Sequence, residues 1–412
     1  MPDGSSEAFA SVFRWLGIDA APTPPSNERT RELGQKYSNG DECYPAIVTV
    51  GDFLRVLEEP GVNPARVAFF QPTAEGPCRF GQYAHYLRRV LDRCGYGDVA
   101  IVSPTSENGY ADLGSVAGPF VRAGWRALVA GDLLHRALLR TRPYETLAGA
   151  ADAAYQESLR DFCETLEASC AEPACQLRAL AGSMHRAHER FRRVPAYYDP
   201  AVPLIGVVGE IFCRLNSFSN EDLIRKLEGY GAETWLSHIV EWIAYTNADL
   251  VRKLKLRGRG FSLEMLKARL RSHVQLADEH ALSAPFGDFF AGREEPEDIR
   301  EILDLARPYL PCEGALGEMV LSVGKAAYLA RKGADGIVDI SPFTCMNGIV
   351  SEAIYPKLSR DYSGIPIRSF YFDGTQSDLE RDLGIYLELA RSYREKKPRP
   401  RRDHASFAQP VA

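Results

Sequence analysis

The chain has 412 residues, enough for two domains that each bury a core, and its 45% hydrophobic and 25% charged residues are the balance of a globular protein. A formal net charge of −6 gives no overall electrostatic pull toward nucleic acid. No uninterrupted apolar stretch has the length of a membrane span, and the first residues lack the basic start and apolar core of a signal peptide, so the expected location is cytoplasmic, with no membrane partner.

Nine cysteines are present, an odd number with wide and irregular spacing. In a reducing compartment this argues against a disulfide framework and leaves structural thiols, metal ligands or reactive thiols.

Residues 1–36 read as an N-terminal extension: a short amphipathic piece around Phe9–Leu16, then the stiff linker Ala21-Pro-Thr-Pro-Pro-Ser26. Residues 37–200 read as a first α/β domain. A helix is expected through Ile47–Leu57, then a buried strand over Val67–Gln71. Tyr83, Tyr86, Leu87, Val90 and Leu91 repeat with the helical period, and Val99–Val102 is a second strand, so strand, helix and strand make a parallel-sheet unit. Residues from Phe120 to Phe191 are expected to be mostly helical, and Pro195–Pro203 joins the two halves.

Residues 201–396 read as a second α/β domain. It opens on a strand at Leu204–Val208, followed by a helix starting at Asn220 with Ser219 as its cap and more helix from Trp235 to Leu282. Helix Leu316–Ala330, strand Gly336–Ile340, helix Met346–Leu358, strand Ile365–Phe372 and helix Ser377–Arg391 complete it. Residues 397–412 form a basic, proline-interrupted tail expected to be disordered. The fold class is α/β, two parallel-sheet halves with a helical insertion.

Three cysteines stand at junctions. Cys78, in Gly76-Pro-Cys-Arg-Phe-Gly81, lies between a strand and the next helix, as does Cys345 in Ser341-Pro-Phe-Thr-Cys-Met346. Both occupy the edge of a parallel sheet where α/β proteins place ligands, and a helix N-terminus favours the thiolate that binds metal. Cys43, in Glu42-Cys-Tyr-Pro45, precedes a helix in the same way. No C-x-x-C pair exists, so no zinc ribbon or ferredoxin run is encoded.

The other cysteines carry less. Cys163 and Cys170 are seven apart on an expected helix and read as core packing, Cys175 as a loop residue and Cys94 as a helix end. Cys213 follows the Leu204–Val208 strand and faces the same sheet edge, and Cys312 precedes another helix as a reserve metal ligand. His185 and His188 read as a solvated helix face. No G-x-S-x-G, H-E-x-x-H or phosphate-loop motif occurs, since Gln82 stands where a phosphate loop needs lysine. Asp373–Ser377 reads as a plain strand-to-helix turn. Glu210, Arg214 and Asn216, just past a strand, are candidate catalytic residues lining a cleft, with a surface ion pair and a turn as the alternative. Asn108 and Tyr110 have the same standing.

Glu42–Phe53, Pro72–Tyr83, Gly209–Asn216 and Gly336–Met346 resemble, in this order, the 2-hydroxyacyl-CoA dehydratase and activase-related family over roughly residues 30–395. The resemblance implies two Rossmann-like domains holding an iron–sulfur cluster in the cleft between them, with Cys43, Cys78 and Cys345 as ligands. It implies a [4Fe–4S] cluster with an open iron or a double-cubane cluster, the latter needing further thiols such as Cys312 or Cys213. Large members carry an actin-like ATPase domain ahead of this region. Here only residues 1–36 precede it, so the resemblance implies a subunit that takes low-potential electrons from a separate ATP-dependent activase. It would reduce or dehydrate a small-molecule or acyl-CoA substrate, as a homo- or heterodimer. The alternatives are a non-catalytic scaffold or assembly protein of the same fold, and zinc on the same thiols.

Overall fold

In the computed structural model, which describes residues 3–74, 76–105, 111–311, 317–375 and 378–398, the chain opens on helix α1 (Asp3–Trp15). This helix is no appendage. Ala8 and Val12 are fully buried against α5 (Ala117–Thr141) and α6 (Ala150–Glu167), and Phe9 and Phe13 pack edge-on against Phe120 and Phe70. The proline segment that reads as a free linker is pinned, because Arg55 Nη2 donates to the Pro24 and Pro25 carbonyls at 2.7 and 2.9 Å.

Helix α2 (Glu28–Tyr37) starts in a reciprocal capping box between Asn27 and Thr30, and α3 (Tyr44–Glu58) has proline in its first turn. Strands β1 (Ala68–Phe70) and β2 (Ala100–Val102) pair in parallel around α4 (Tyr83–Arg93). The expected strand–helix–strand unit is therefore present, but its strands are three residues long, and Ala68 and Ala100 are exposed. Leu33, Phe53, Leu57, Leu87 and Val90 cover one face of this two-stranded sheet, so the burial expected on both faces is not reached.

Helices α5, α6 and α7 (Pro173–Arg192) pack with α1 into a helical core that also takes Phe286, Phe289 and Phe290 from beyond residue 200. This core draws on both sides of the boundary placed at residue 200. Cys163 is buried in it as expected, whereas Cys170 lies past the end of α6 and is disulfide-bonded to Cys175 in the first turn of α7. The chain thus departs from the expectation of free thiols throughout. His188 also departs from the solvated reading: it is buried, its ring edge-on to Phe286 and its Nε2 3.3 Å from Asp288.

The second half is built on β3 (Leu204–Gly209). After it come α8 (Ile211–Leu215), α9 (Leu223–Gly229), β4 (Glu233–Leu236), α10 (Ile239–Leu256), α11 (Leu263–Ser283) and α12 (Ile299–Ala306). Then follow α13 (Glu318–Arg331), β5 (Gly336–Pro342), α14 (Met346–Asp361), β6 (Ile367–Phe372) and α15 (Leu379–Lys396). Helix α9 begins three residues later than expected because Glu221 and Asp222 take left-handed backbone angles. Strand β4 falls where helix was expected. Its first residue, Glu233, is buried and held by Arg293 Nε and Nη2 at 2.8 and 2.9 Å and by the Tyr144 hydroxyl at 2.6 Å, so a charged residue occupies a core strand.

The four strands are all parallel in the order β4-β3-β5-β6. One face is packed by α8, α9, α15 and the start of α3, the other by α12, α13 and α14. Because β4 joins one side of β3 and β5 the other, the chain reverses direction across the sheet between β3 and β5. In open parallel sheets the crevice beyond the C-terminal ends of such a pair is where ligands sit. Among the described residues no helix is long and apolar enough to cross a membrane.

Candidate functional site

At that crevice the backbone is forced into close approach. Gly209 ends β3 with φ +116°, and a Cβ there would lie 2.2 Å from the Ile340 carbonyl oxygen of β5, so only glycine fits. The next residue, Glu210, donates its N–H to the same carbonyl at 2.8 Å and caps α8, its carboxylate accepting from the Phe212 and Cys213 N–H groups at 3.0 and 2.9 Å. Gly317, at φ +125°, has its Cα so close to Asn347 that a Cβ would sit 2.5 Å from Asn347 Oδ1, which sets the N-termini of α13 and α14 side by side.

Three of the expected site cysteines occupy equivalent local positions. Cys43 is the N-cap of α3, Cys345 the N-cap of α14, and Cys78 the N-cap of the 3-10 turn Arg79–Gln82 that leads into α4. All three take extended backbone angles, which turn the residue out of the helix and expose it to the unpaired N–H groups of the first turn. One side chain ties the three junctions together. Arg79, next to Cys78, donates from Nη1 to the Asp41 carbonyl at 2.7 Å and from Nη2 to the Thr344 carbonyl and hydroxyl at 2.9 and 3.2 Å. Asp41 is two residues before Cys43, and Thr344 immediately precedes Cys345.

The thiols sense one another. Burial pushes the Cys345 thiol up to about 12, with the charges of Glu210 and Glu318 adding to it, while the Gly348 and Asn347 N–H groups act the other way. Cys43 is raised by burial and lowered by Tyr83, whose hydroxyl lies 2.7 Å from its sulfur. Cys78, the outermost, is raised by desolvation and then by Glu318, Glu210 and Cys43. Cys213, fully buried on α8, is raised well above the ordinary thiol value by burial and by Glu210, Cys43 and Cys345. The four sulfurs and two carboxylates therefore belong to one electrostatic neighbourhood. Among the described residues no three His, Cys, Asp or Glu side chains are grouped closely enough to hold a metal ion.

The carboxylates were only half legible. Glu210 is where the sequence places a candidate catalytic residue, raised by desolvation against its two N–H donors. Its neighbour Glu318, the first residue of α13, accepts the Ile211 N–H at 2.8 Å and is pushed up to about 8 by burial and by the charge of Glu210. Glu318 looks in sequence like any acid at a helix start. Arg214 is buried with Nη1 on the Gly209 carbonyl at 2.7 Å, so the surface-ion-pair alternative does not describe it. Asn216 closes the following turn, accepting from Ser219 N–H at 2.8 Å and donating to the Ser26 hydroxyl at 3.2 Å. Cys312, Asn108 and Tyr110 lie outside the described residues.

Set against models of known families, characterised proteins and solved structures, the chain matches none of them.

Proposed function

We propose that the chain is an iron–sulfur protein of the 2-hydroxyacyl-CoA dehydratase and activase-related kind, with two Rossmann-like halves and Cys43, Cys78 and Cys345 as the thiolate ligands. The observation that carries this reading is that the backbone beside three N-cap cysteines is joined through one side chain, Arg79, which follows Cys78 and bonds the Asp41 carbonyl near Cys43 and the Thr344 carbonyl next to Cys345. First-turn N–H groups near each sulfur, from α3, from α14 and from the 3-10 turn after Cys78, act against the burial that raises the thiols, and three thiolates on separate elements suit a group several atoms across.

Such a cluster supplies one-electron transfer at low potential and, at an iron without a protein ligand, a Lewis-acid site. The chain's own groups would position the thiolates: Arg79 braces the backbone near Cys43 and next to Cys345, and the Tyr83 hydroxyl is hydrogen-bonded to the Cys43 sulfur. Burial and the charge of Glu210 favour the protonated form of Glu318, which in this reading would exchange a proton with a bound substrate. Cys78 is the exposed one of the three, and in this reading it would face the small-molecule or acyl-CoA substrate. In this reading a separate ATP-dependent activase delivers the electron and the protein works in the cytoplasm, as a homo- or heterodimer.

The test is optical. Protein purified without oxygen should be brown, with broad visible absorption that bleaches on chemical reduction, and Cys78→Ala should be colourless while remaining folded by circular dichroism. A colourless wild type after anaerobic reconstitution would end the proposal.

A further inference from the structure

Helices α10 and α11 form a hairpin whose tip is unlike the rest of the chain. Residues 251–272 carry eight Lys and Arg against the one acid Glu264, within a protein of net charge −6. Lys255, Arg257, Lys267 and Arg269 are exposed and form no ion pair among the described residues. Between these cations the large apolar side chains point outward: Leu256 is 73%, Leu263 67%, Leu266 63% and Phe261 fully exposed. The tip is nonetheless preformed. Leu254, Met265 and Ala268 make a small core that clips the two helices together, and Gly258, at φ +70°, turns the chain.

We propose that this tip is an anchor for an anionic lipid surface, adsorbing to the membrane without crossing it. Apolar residues at a convex end, ringed by Lys and Arg, fit a bilayer interface: the apolar groups enter the headgroup boundary while the cations stay at the level of the phosphates. Pairing of two copies tip to tip opposes two sets of uncompensated cations, and a protein partner would have to supply a cleft that fits a projecting end. Nor is the tip an entry point for electrons. Helix α10 leaves the sheet edge at Ile239 and runs 18 residues, about 27 Å, before the tip begins. The inference stands apart from the iron–sulfur reading and survives its failure.

The test uses the full chain and sedimentation with vesicles of phosphatidylcholine alone or mixed with phosphatidylglycerol. The expected result is at least about tenfold stronger binding to the anionic vesicles at low salt, weakening as salt screens the charges. Arg257→Glu with Arg259→Glu, and separately Phe261→Ser with Leu266→Ser, should each reduce it by about tenfold or more with the thermal midpoint unchanged. All four residues are exposed, so their replacement leaves the core intact. Equal binding to neutral vesicles, no binding, or wild-type binding by either double variant overturns the proposal. So does retention on immobilised polyglutamate without vesicle binding, which would make the partner an acidic protein, or conversion of a dimer to a monomer by the apolar variant, which would make the tip an interface between copies.

Discussion

Arg79 Nη2 donates to the main-chain carbonyl of Thr344 at 2.9 Å, a contact between residues 265 positions apart in sequence. Thr344 holds a left-handed backbone, φ +62°, a conformation that costs a β-branched residue on the order of 1–2 kcal/mol and persists only where its surroundings hold it. The same guanidinium holds Asp41. Arg79→Ala should therefore loosen the Cys43 and Cys345 junctions together while leaving the exposed side chain's small share of stability almost unchanged. We expect such protein, reconstituted without oxygen, to retain less than half of the wild-type iron with an unchanged circular dichroism spectrum, and Arg79→Lys to fall between the two, since an ammonium lacks the planar fork that reaches both carbonyls.

The thiols should divide into two classes. Cys43→Ala, Cys78→Ala and Cys345→Ala should each abolish stable iron binding. Cys163→Ala should keep the full iron content, because Cys163 is buried in the helical core, where burial raises its thiol to about 12. Its cost should appear as about 1–2 kcal/mol of lost stability in denaturant unfolding. Iron retained by the first three would separate the N-cap geometry from metal binding.

Asp132 and His135, one turn apart on α5, give the pH dependence two opposing parts. Asp132 accepts from the Val240 N–H at 2.9 Å and the Ser5 hydroxyl at 3.4 Å, and burial pushes it up to about 7. The unfolded chain gives up this proton near pH 4, so the contribution is full below that pH, is lost as pH rises to 7 and is flat above. His135 works the other way: burial holds it down to about 3, so its contribution is present above 6.5 and is lost as pH falls toward 3. Asp132→Asn should thus stabilise the protein by up to about 4 kcal/mol at pH 8, leave it unchanged at pH 4, and make the acid loss due to His135 steeper. Urea unfolding at several pH values reads this directly.

Cys170 and Cys175 close a short loop between α6 and α7. Thiol titration of the denatured, unreduced protein should find two fewer reactive thiols than the nine cysteines of the sequence. Reduction should leave the iron content unchanged, since neither residue adjoins the crevice thiols.

The N-cap positions of Cys43, Cys78 and Cys345 were legible because their signals are local. Each stands beside a Pro or Gly break just ahead of a helix, and an N-cap is a matter of a few residues. What joins them was not, because Arg79 reaches Thr344 only through the tertiary fold. The parallel sheet of the second half was readable from the apolar runs of β3 and β5, whereas β4 was hidden by Glu233, whose charge is neutralised by arginines far away in sequence. Helix α1 was misread for a related reason. A proline segment normally signals a stiff spacer that sets an extension apart from the domain, and here Arg55 ties it to α3. Glu318 gave no sign, since its contact with the Ile211 N–H and the approach of Gly317 to Asn347 arise only in the tertiary fold.

The most direct test of the central claim is iron and acid-labile sulfide per chain, measured after anaerobic purification and reconstitution. The account predicts about four of each for a single cubane cluster, or about eight iron with similar sulfide for a double cubane that recruits further thiols such as Cys213. Protein that holds neither iron nor sulfide, folded and with its thiols reduced, would contradict it.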